Sequence, residues 1–190
     1  MTDVSPASEL SDETLARAAL HNPSAFAELY QRHVRRIYRY VLARVGTIHD
    51  AEDLTAETFS ALMKSMHSYR GQGSFAAWLT IIARNTVANH YRARRSDVPL
   101  DAVTETPDFQ PPTDEIVSRR LQLASVLTAL DRLPDEYGEV VRLRIFGELS
   151  TAETAEVMGK SEGAVKMLLH RALRDLRKQV GVYAIDEVES

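Results

Sequence analysis

Apolar residues recur at steps of three and four along residues 22–46, at Phe26, Tyr30, Val34, Ile37, Val41 and Val45. That is the helical period, and it predicts one long amphipathic helix with those six positions on its buried stripe. Pro23 near the start and Gly46 after the end fit the known preferences of helix termini. In the next helix Phe59, Leu62, Met63 and Met66 form the expected inward face. The stretch "RGQGS", residues 70–74, reads as a turn, and Ser74 is placed to cap a helix running to about Arg94. The apolar face of that helix is Phe75, Trp78, Leu79, Ile82 and Ala83, continued by Thr86. No alternating, strand-like pattern occurs anywhere.

The helical pattern then stops. Residues 96–115 contain four prolines, six acids and no base. They read as an extended linker, able to reach roughly 60–70 Å if drawn out. A structureless segment of that length is improbable inside one compact domain, so a domain boundary is placed here.

A second helical block follows. Residues 116–130 are amphipathic. The chain restarts after Pro134 with Val140, Val141, Leu143, Ile145 and Phe146 as expected core. Ser150 and Glu153 form a Ser-x-x-Glu capping box. A short helix to about Met158 ends at Gly159, and Ser161 can cap a further helix to about Lys178. Ala155, Gly159, Val165 and Leu168 stand at offsets of 0, 4, 10 and 13, the helix-turn-helix spacing: small where helices approach, glycine in the turn, apolar inward. The expected fold is therefore all-α, with two small helical domains joined by an extended acidic linker and a helix-turn-helix in the C-terminal one.

Composition refines this picture. The chain has 190 residues, 44% hydrophobic and 26% charged, with no cysteine. These are the proportions of a soluble globular protein. The lack of cysteine excludes disulfides, thiolate zinc sites and direct thiol redox sensing. No apolar run is long enough to span a bilayer, and the acidic, polar N-terminus is unlike a secretory signal, so no membrane insertion and a cytoplasmic location are expected. The net charge of −4 argues against nucleic-acid binding only if charge is evenly spread, and it is not. Residues 75–95 carry Arg84, Arg92, Arg94 and Arg95 with no acid, and residues 160–178 carry six bases against Glu162 and Asp175.

In the second helix of the pair, positions 165, 168, 172 and 176 face inward. Gly163, Lys166, His170, Arg174 and Arg177 are left on the outer side. A basic stripe on a second helix suits phosphate and major-groove contact, where the alternative is a solvated helical hairpin. Asn85, Asn89 and Arg92 share a face at i, i+4 and i+7. Amides there can read base edges, or the face is a solvated helix end. Trp78 can stack on an unpaired base, but its place in the apolar stripe favours core packing. The stretch "DAEDLTAETF", residues 50–59, concentrates Asp50, Glu52, Asp53 and Glu57 on a short length of helix. Part of that charge compensates the helix N-terminus. The remainder is either a solvated face or a surface for a basic partner. Leu54, read as lying off the stripe and among acids, favours the partner. No ligand spacing accompanies the acids, so neither a metal nor another cofactor is expected.

"DAEDLTAETF" resembles the polymerase-binding signature of bacterial RNA polymerase sigma factors. "SFAAWLTIIARNTVANHYRARR" is similar to the sigma region that opens and reads the minus-10 element. "DRLPDEYGEVVRLRIFGELSTAETAEVMGKSEGAVKMLLHRALRDL" looks like the region that reads the minus-35 element. The resemblance covers about residues 26–95 and 121–178, and with two domains and a short linker it is to the extracytoplasmic-function (ECF) group. It implies a non-enzymatic initiation factor whose partners are core RNA polymerase, promoter DNA and an anti-sigma factor.

Residue by residue, the resemblance implies core-polymerase contacts at Asp50, Asp53, Leu54, Glu57 and Phe59. Ala56 stands where the family often has Gln. Minus-10 contacts fall on or near Asn85, Asn89, Arg92, Arg94 and Arg95. Minus-35 contacts fall on Ser161, Glu162, Gly163, Lys166, His170, Arg171 and Arg174. The implied organisation is a disordered tail over residues 1–12, sigma region 2 over 13–95, a flexible acidic linker over 96–116, sigma region 4 over 117–180 and a C-terminal tail over 181–190. The rival class is a stand-alone helix-turn-helix regulator, which would bind a duplex tightly without polymerase. A helical enzyme, the third class, lacks any nucleophile–base or metal-ligand spacing.

Overall fold

Capping chemistry sets the helix ends in the computed structural model, which describes residues 10–96 and 114–186. Ser11 caps α1 (Asp12–Ala18) by accepting from the Thr14 amide. The Asn22 side chain caps α2 (Pro23–Val45), Pro23 opens it, and Gly46 closes it in the left-handed conformation. Thr47 caps α3 (Ile48–Ser65), which a 3-10 turn (Met66–Ser68) follows. Ser74 Oγ accepts from the Ala76 amide at 3.2 Å at the head of α4 (Phe75–Ser96), as the turn reading anticipated. The second block comprises α5 (Asp114–Asp131), α6 (Asp135–Val141), α7 (Thr151–Met158) and α8 (Glu162–Asp186). No strand occurs among the described residues.

α6 does not stop at Val141 but widens into a single π turn, Arg142–Phe146. The Gly147 amide reaches back to the Arg142 carbonyl at 2.8 Å. The wider turn shifts the phase of the side chains. Val140 and Val141 pack with the second block, whereas Leu143 and Leu149 enter the core of the first. Gly138 lies where α6 crosses α5, with the Leu130 carbonyl 3.1 Å and the Arg142 guanidinium 2.7 Å from the place a Cβ would take. Only glycine fits there without displacing one of them.

Three stripe assignments are corrected. In α2 the buried line is Leu29, His33, Ile37, Tyr40 and Val41, one position away from the expected stripe at its N-terminal half, and Tyr30 is 43% exposed. The sequence carries two overlapping helical periods here, and a histidine in the true one disguised it. His33 is buried because its Nε2 lies 2.6 Å from Asp12 Oδ2. Met63 is 60% exposed and Ile145 53%, so neither belongs to the core. Trp78 packs between Tyr69 and Phe75, at ring-centroid distances of 4.8 and 5.9 Å, which agrees with a core role.

The two blocks are not merely tethered. Leu143, Leu149 and Val157 of the second join the core of Leu29, Ile37, Tyr40, Leu79 and Ala83 in the first, while Ala43 of α2 joins the second core. Of the linker expected over residues 96–116 and the tails expected over 1–12 and 181–190, residues 97–113, 1–9 and 187–190 lie outside the described residues. Ser11 and Asp12 are instead the cap and first residue of α1, Ser96 ends α4, and residues 114–116 open α5. The C-terminal tail expected from residue 181 is a continuation of α8 as far as Asp186.

Candidate functional site

The acidic segment forms the N-terminal half of α3, and the helix sorts its residues into two groups. Glu52, Asp53, Ala56, Glu57 and Ser60 face solvent. Asp50 turns back to the helix start. It accepts from Thr47 Oγ1 at 2.7 Å, and Arg94 of α4 stands 3.6 Å from the same carboxylate. That is the charge compensation a helix N-terminus favours. Asp53 keeps 70% of its side chain exposed, with His49 of the preceding turn 3.5 Å away. Leu54 and Phe59, at 2% and 4% exposed, lie inside the core. The reading of Leu54 as an apolar residue set among acids for a partner is therefore corrected. It sits in register with Ala51, Thr58 and Leu62 on the inward face. The exposed large apolar residues of the outer stripe are instead Ile48, two turns before Ala56, and Met63, two turns after it.

The amide-bearing face of α4 is presented as expected. Asn85, Asn89 and Arg92 are all exposed, and Arg92 Nη1 donates to Asn89 Oδ1 at 2.9 Å. Arg94 is exposed but shares the Asp50 carboxylate, and the side chain of Arg95 lies outside the described residues. Arg84, one residue before Asn85, turns the other way, donating to the Val157 carbonyl at 3.2 Å.

The helix-turn-helix is formed by α7 and α8. Ser150 and Glu153 make the reciprocal capping box, and Gly159 supplies the left-handed turn at φ 63°. Ser161 Oγ accepts from the Ala164 amide at 3.2 Å. Ala155, Val165 and Ala172 are buried between the helices. Their packing fixes the outward side of α8, where Ser161, Glu162, Gly163, Lys166, His170, Arg171 and Arg174 are all exposed. Met167, 58% exposed at the centre of that surface, was not anticipated. Its position four residues after Gly163 was the available signal, but reading outward positions at steps from 163 through 166 and 170 passed over it.

Sequence reasoning also missed a polar cluster between the blocks. Glu139 is 6% exposed. It accepts from Tyr40 Oη at 3.1 Å and from Arg44 Nη1 at 3.0 Å, and Arg84 Nε stands 3.6 Å away. Burial, then the neighbouring carboxylate, pushes the Tyr40 hydroxyl far above its ordinary range. Arg142, also buried, donates through Nε to the Ala43 carbonyl at 2.7 Å and pairs with Asp131. Desolvation pulls its guanidinium below the usual arginine value. A charge at each end of "EVVR", one helical turn apart in an apolar run, was the sequence signal for this pair. Among the described residues no group of three or more His, Asp or Glu gathers as a metal site, and no helix is long and apolar enough to cross a membrane.

An acidic helix face, an amide-bearing basic helix and a helix-turn-helix in this order define a sigma-70-type architecture. Residues 29–96 match the family model of sigma-70 region 2, and residues 123–176 match that of sigma-70 region 4. The chain is 39% identical over 169 residues to the ECF RNA polymerase sigma factor BldN of Streptomyces coelicolor, spanning 87% of this chain but 64% of that protein. It is 32% identical over 161 residues to RNA polymerase sigma factor YlaC of Bacillus subtilis, which it covers to 90%. Among solved structures, that of CnrH in complex with the cytosolic domain of CnrY superposes with a TM-score of 0.63 at 26% identity, over 94% of this chain and 99% of that one. The chain is also 31% identical over 167 residues to the ECF RNA polymerase sigma factor SigW of Bacillus subtilis, over 82% of this chain and 89% of that protein, and it belongs to the ECF group of RNA polymerase sigma factors.

Proposed function

We propose that this chain binds core RNA polymerase and directs promoter recognition, DNA opening and transcription initiation at a specific set of promoters, in the cytoplasm. Residues 13–95 act as region 2 and residues 117–180 as region 4. The chemistry of the polymerase is not its own. It lends sequence specificity.

The observation that carries this reading is the outward face of α8. Lys166, His170, Arg171 and Arg174 are all exposed on a helix that the buried Ala155, Val165 and Ala172 hold in a fixed orientation. Such a face suits a major groove, with lysine and arginine meeting phosphate and base edges. Asn85, Asn89 and Arg92 supply amides and a guanidinium for bases exposed on opening. Unstacking those bases costs a few kcal/mol, which stacking and hydrogen bonds offset. Asp53 and Glu57 form the electrostatic part of the polymerase-docking face. With Leu54 and Phe59 buried, their part in docking is to hold α3 in place. An anti-sigma partner is proposed because the similar CnrH structure is of a complex with the cytosolic domain of CnrY.

The test is run-off transcription from a pool of genomic fragments with purified core polymerase, with and without the chain. Chain-dependent transcripts sharing a two-part upstream element are the expected result. No transcripts, together with tight specific duplex binding by the chain alone, would establish a stand-alone regulator instead.

A further inference from the structure

The chain has five methionines and no cysteine. With no thiol to compete, the thioethers are the groups that a peroxide oxidises first. Burial divides them. Met66 is buried, Met158 is half-buried against both cores, and Met63 and Met167 are exposed. Met1 lies outside the described residues. Met63 stands on the outer face of α3. Met167 stands at the centre of the outward face of α8, among the exposed Lys166, His170, Arg171 and Arg174. Its neighbour one turn earlier is Gly163. Apart from the helix's own backbone, no atom stands within 4 Å of the place a Cβ would take at Gly163. The thioether of Met167 therefore has no side chain covering it on that side, and a peroxide reaches it from solvent.

We infer that Met167 is a site of reversible oxidation, and that its conversion to the sulfoxide weakens the reading of DNA by α8. The reagent class is a peroxide. The sulfur lone pair attacks one peroxide oxygen, and an S–O bond forms as the O–O bond breaks. Sulfur gives up two electrons and the peroxide gains them. With hydrogen peroxide, the departing hydroxide takes the proton of the transferred hydroxyl and leaves as water. The product is uncharged and polar, and it accepts hydrogen bonds without donating any. The major groove presents the thymine methyl and many acceptors, among them purine N7, guanine O6 and thymine O4. A sulfoxide oxygen loses the first contact and repels the others. The charge of α8 is unchanged, so phosphate contacts by Lys166 and Arg174 persist, and the salt dependence of binding with them. Sulfoxide reductases, one for each epimer, restore the thioether. The inference rests on the reading of α8 as the DNA-contacting helix.

The experiment treats the full chain with graded hydrogen peroxide and maps the oxidised methionines by peptide mass spectrometry. Met63 and Met167 should be converted before Met158 and Met66. Binding is read by fluorescence anisotropy on a duplex that the untreated chain selects from a random-sequence pool. The treated chain should bind about tenfold more weakly, with the same salt slope. Each variant is compared with its own untreated form. Met167→Leu should lose nothing on treatment. Met63→Leu should lose as much as the natural chain, because the thioether it lacks is similarly exposed but lies away from α8. Reducing the treated natural chain with both sulfoxide reductases should restore its affinity.

Unchanged affinity in a chain whose Met167 is fully converted would overturn the proposal. Conversion of the half-buried Met158 ahead of Met167 would also overturn it. So would a loss that persists in Met167→Leu, since unfolding through Met158 weakens that variant and the natural chain alike. An untreated chain that selects no duplex would sink the DNA-contacting reading itself, and the proposal with it. A chain that selects a duplex and ignores oxidation sinks the proposal alone.

Discussion

Arg142 Nε donates to the carbonyl oxygen of Ala43 at 2.7 Å, across 99 residues of chain. Ala43 lies in the last turn of α2, where carbonyls have no partner within the helix. The next carbonyl, that of Arg44, accepts from Tyr91 Oη at 2.8 Å. Region 4 thus completes the hydrogen bonding of a region 2 helix, and the same guanidinium also pairs with Asp131.

This arrangement makes Arg142→Lys as damaging as Arg142→Met. Lysine has one charged centre and cannot serve a carbonyl and a carboxylate in the fork geometry of a guanidinium. Either substitution should cost about 2 kcal/mol, chiefly by leaving the buried Ala43 carbonyl without its donor, since the Asp131 side chain is 69% exposed and can return to water. Thermal unfolding and small-angle scattering together check this. Expected are a lower Tm and a larger radius of gyration. An unchanged radius would mean that the apolar contacts of Leu143, Leu149 and Val157 suffice to hold the regions together.

The carboxyl group of Asp12 is held at about 2, chiefly by its hydrogen bond to His33, with Arg32 assisting against the opposing effect of burial. A depressed carboxylate stabilises the fold above its unfolded value, near 3.9, and loses that contribution as pH falls through its folded value. Between about pH 4 and pH 2 the wild type should therefore lose about 1–2 kcal/mol that Asp12→Asn does not lose. Urea titrations at a series of pH values measure the difference. Parallel curves would remove Asp12 from the account of how α1 is held.

On α3, charge and packing separate cleanly. Asp53→Ala with Glu57→Ala should weaken assembly with core polymerase by roughly tenfold, about 1.4 kcal/mol, while leaving Tm nearly unchanged, since exposed surface substitutions perturb stability little. Leu54→Ala should instead cost about 2–5 kcal/mol of stability. Core-binding titrations paired with thermal melts decide the matter. Unaltered core affinity in the double variant would return the acidic face to solvation.

Substituting Lys166 or Arg174 by alanine should weaken minus-35 duplex binding, with the salt slope falling by about 1 for each phosphate no longer neutralised. Met167→Ala should leave the salt slope unchanged and reduce the preference for thymine over deoxyuridine at one position, because an apolar group there would meet the thymine methyl. Fluorescence anisotropy with the element found by run-off transcription reads both. A Met167→Ala variant with wild-type discrimination would make that methionine a bystander.

The local grammar of this chain was legible without a structure. Pro23, Gly46, Ser74, Ser150, Glu153, Gly159 and Ser161 act through bonds to their near neighbours, so their roles follow from spacing alone. The outward face of α8 was readable for the same reason, as the inward positions 165, 168 and 172 fix the phase of the helix. Leu54, His33 and Met63 were not readable. Each belongs to a period that the sequence shares with a competing one a residue away, and the packing of α2, α3 and α4 selects between them. For Glu139 and Arg142 the sequence shows only that two charges stand in an apolar run; which groups they meet, like the partners of Arg39 (Glu148) and Arg84 (Glu139), was beyond local reading. A buried charge is tolerated only opposite its partner, and here the partners lie on the other side of residues 97–113. The sequence alone specified the helices, their caps and the outward basic face of α8. The tertiary structure decided which carboxylates meet which arginines, because that depends on two distant surfaces excluding water together.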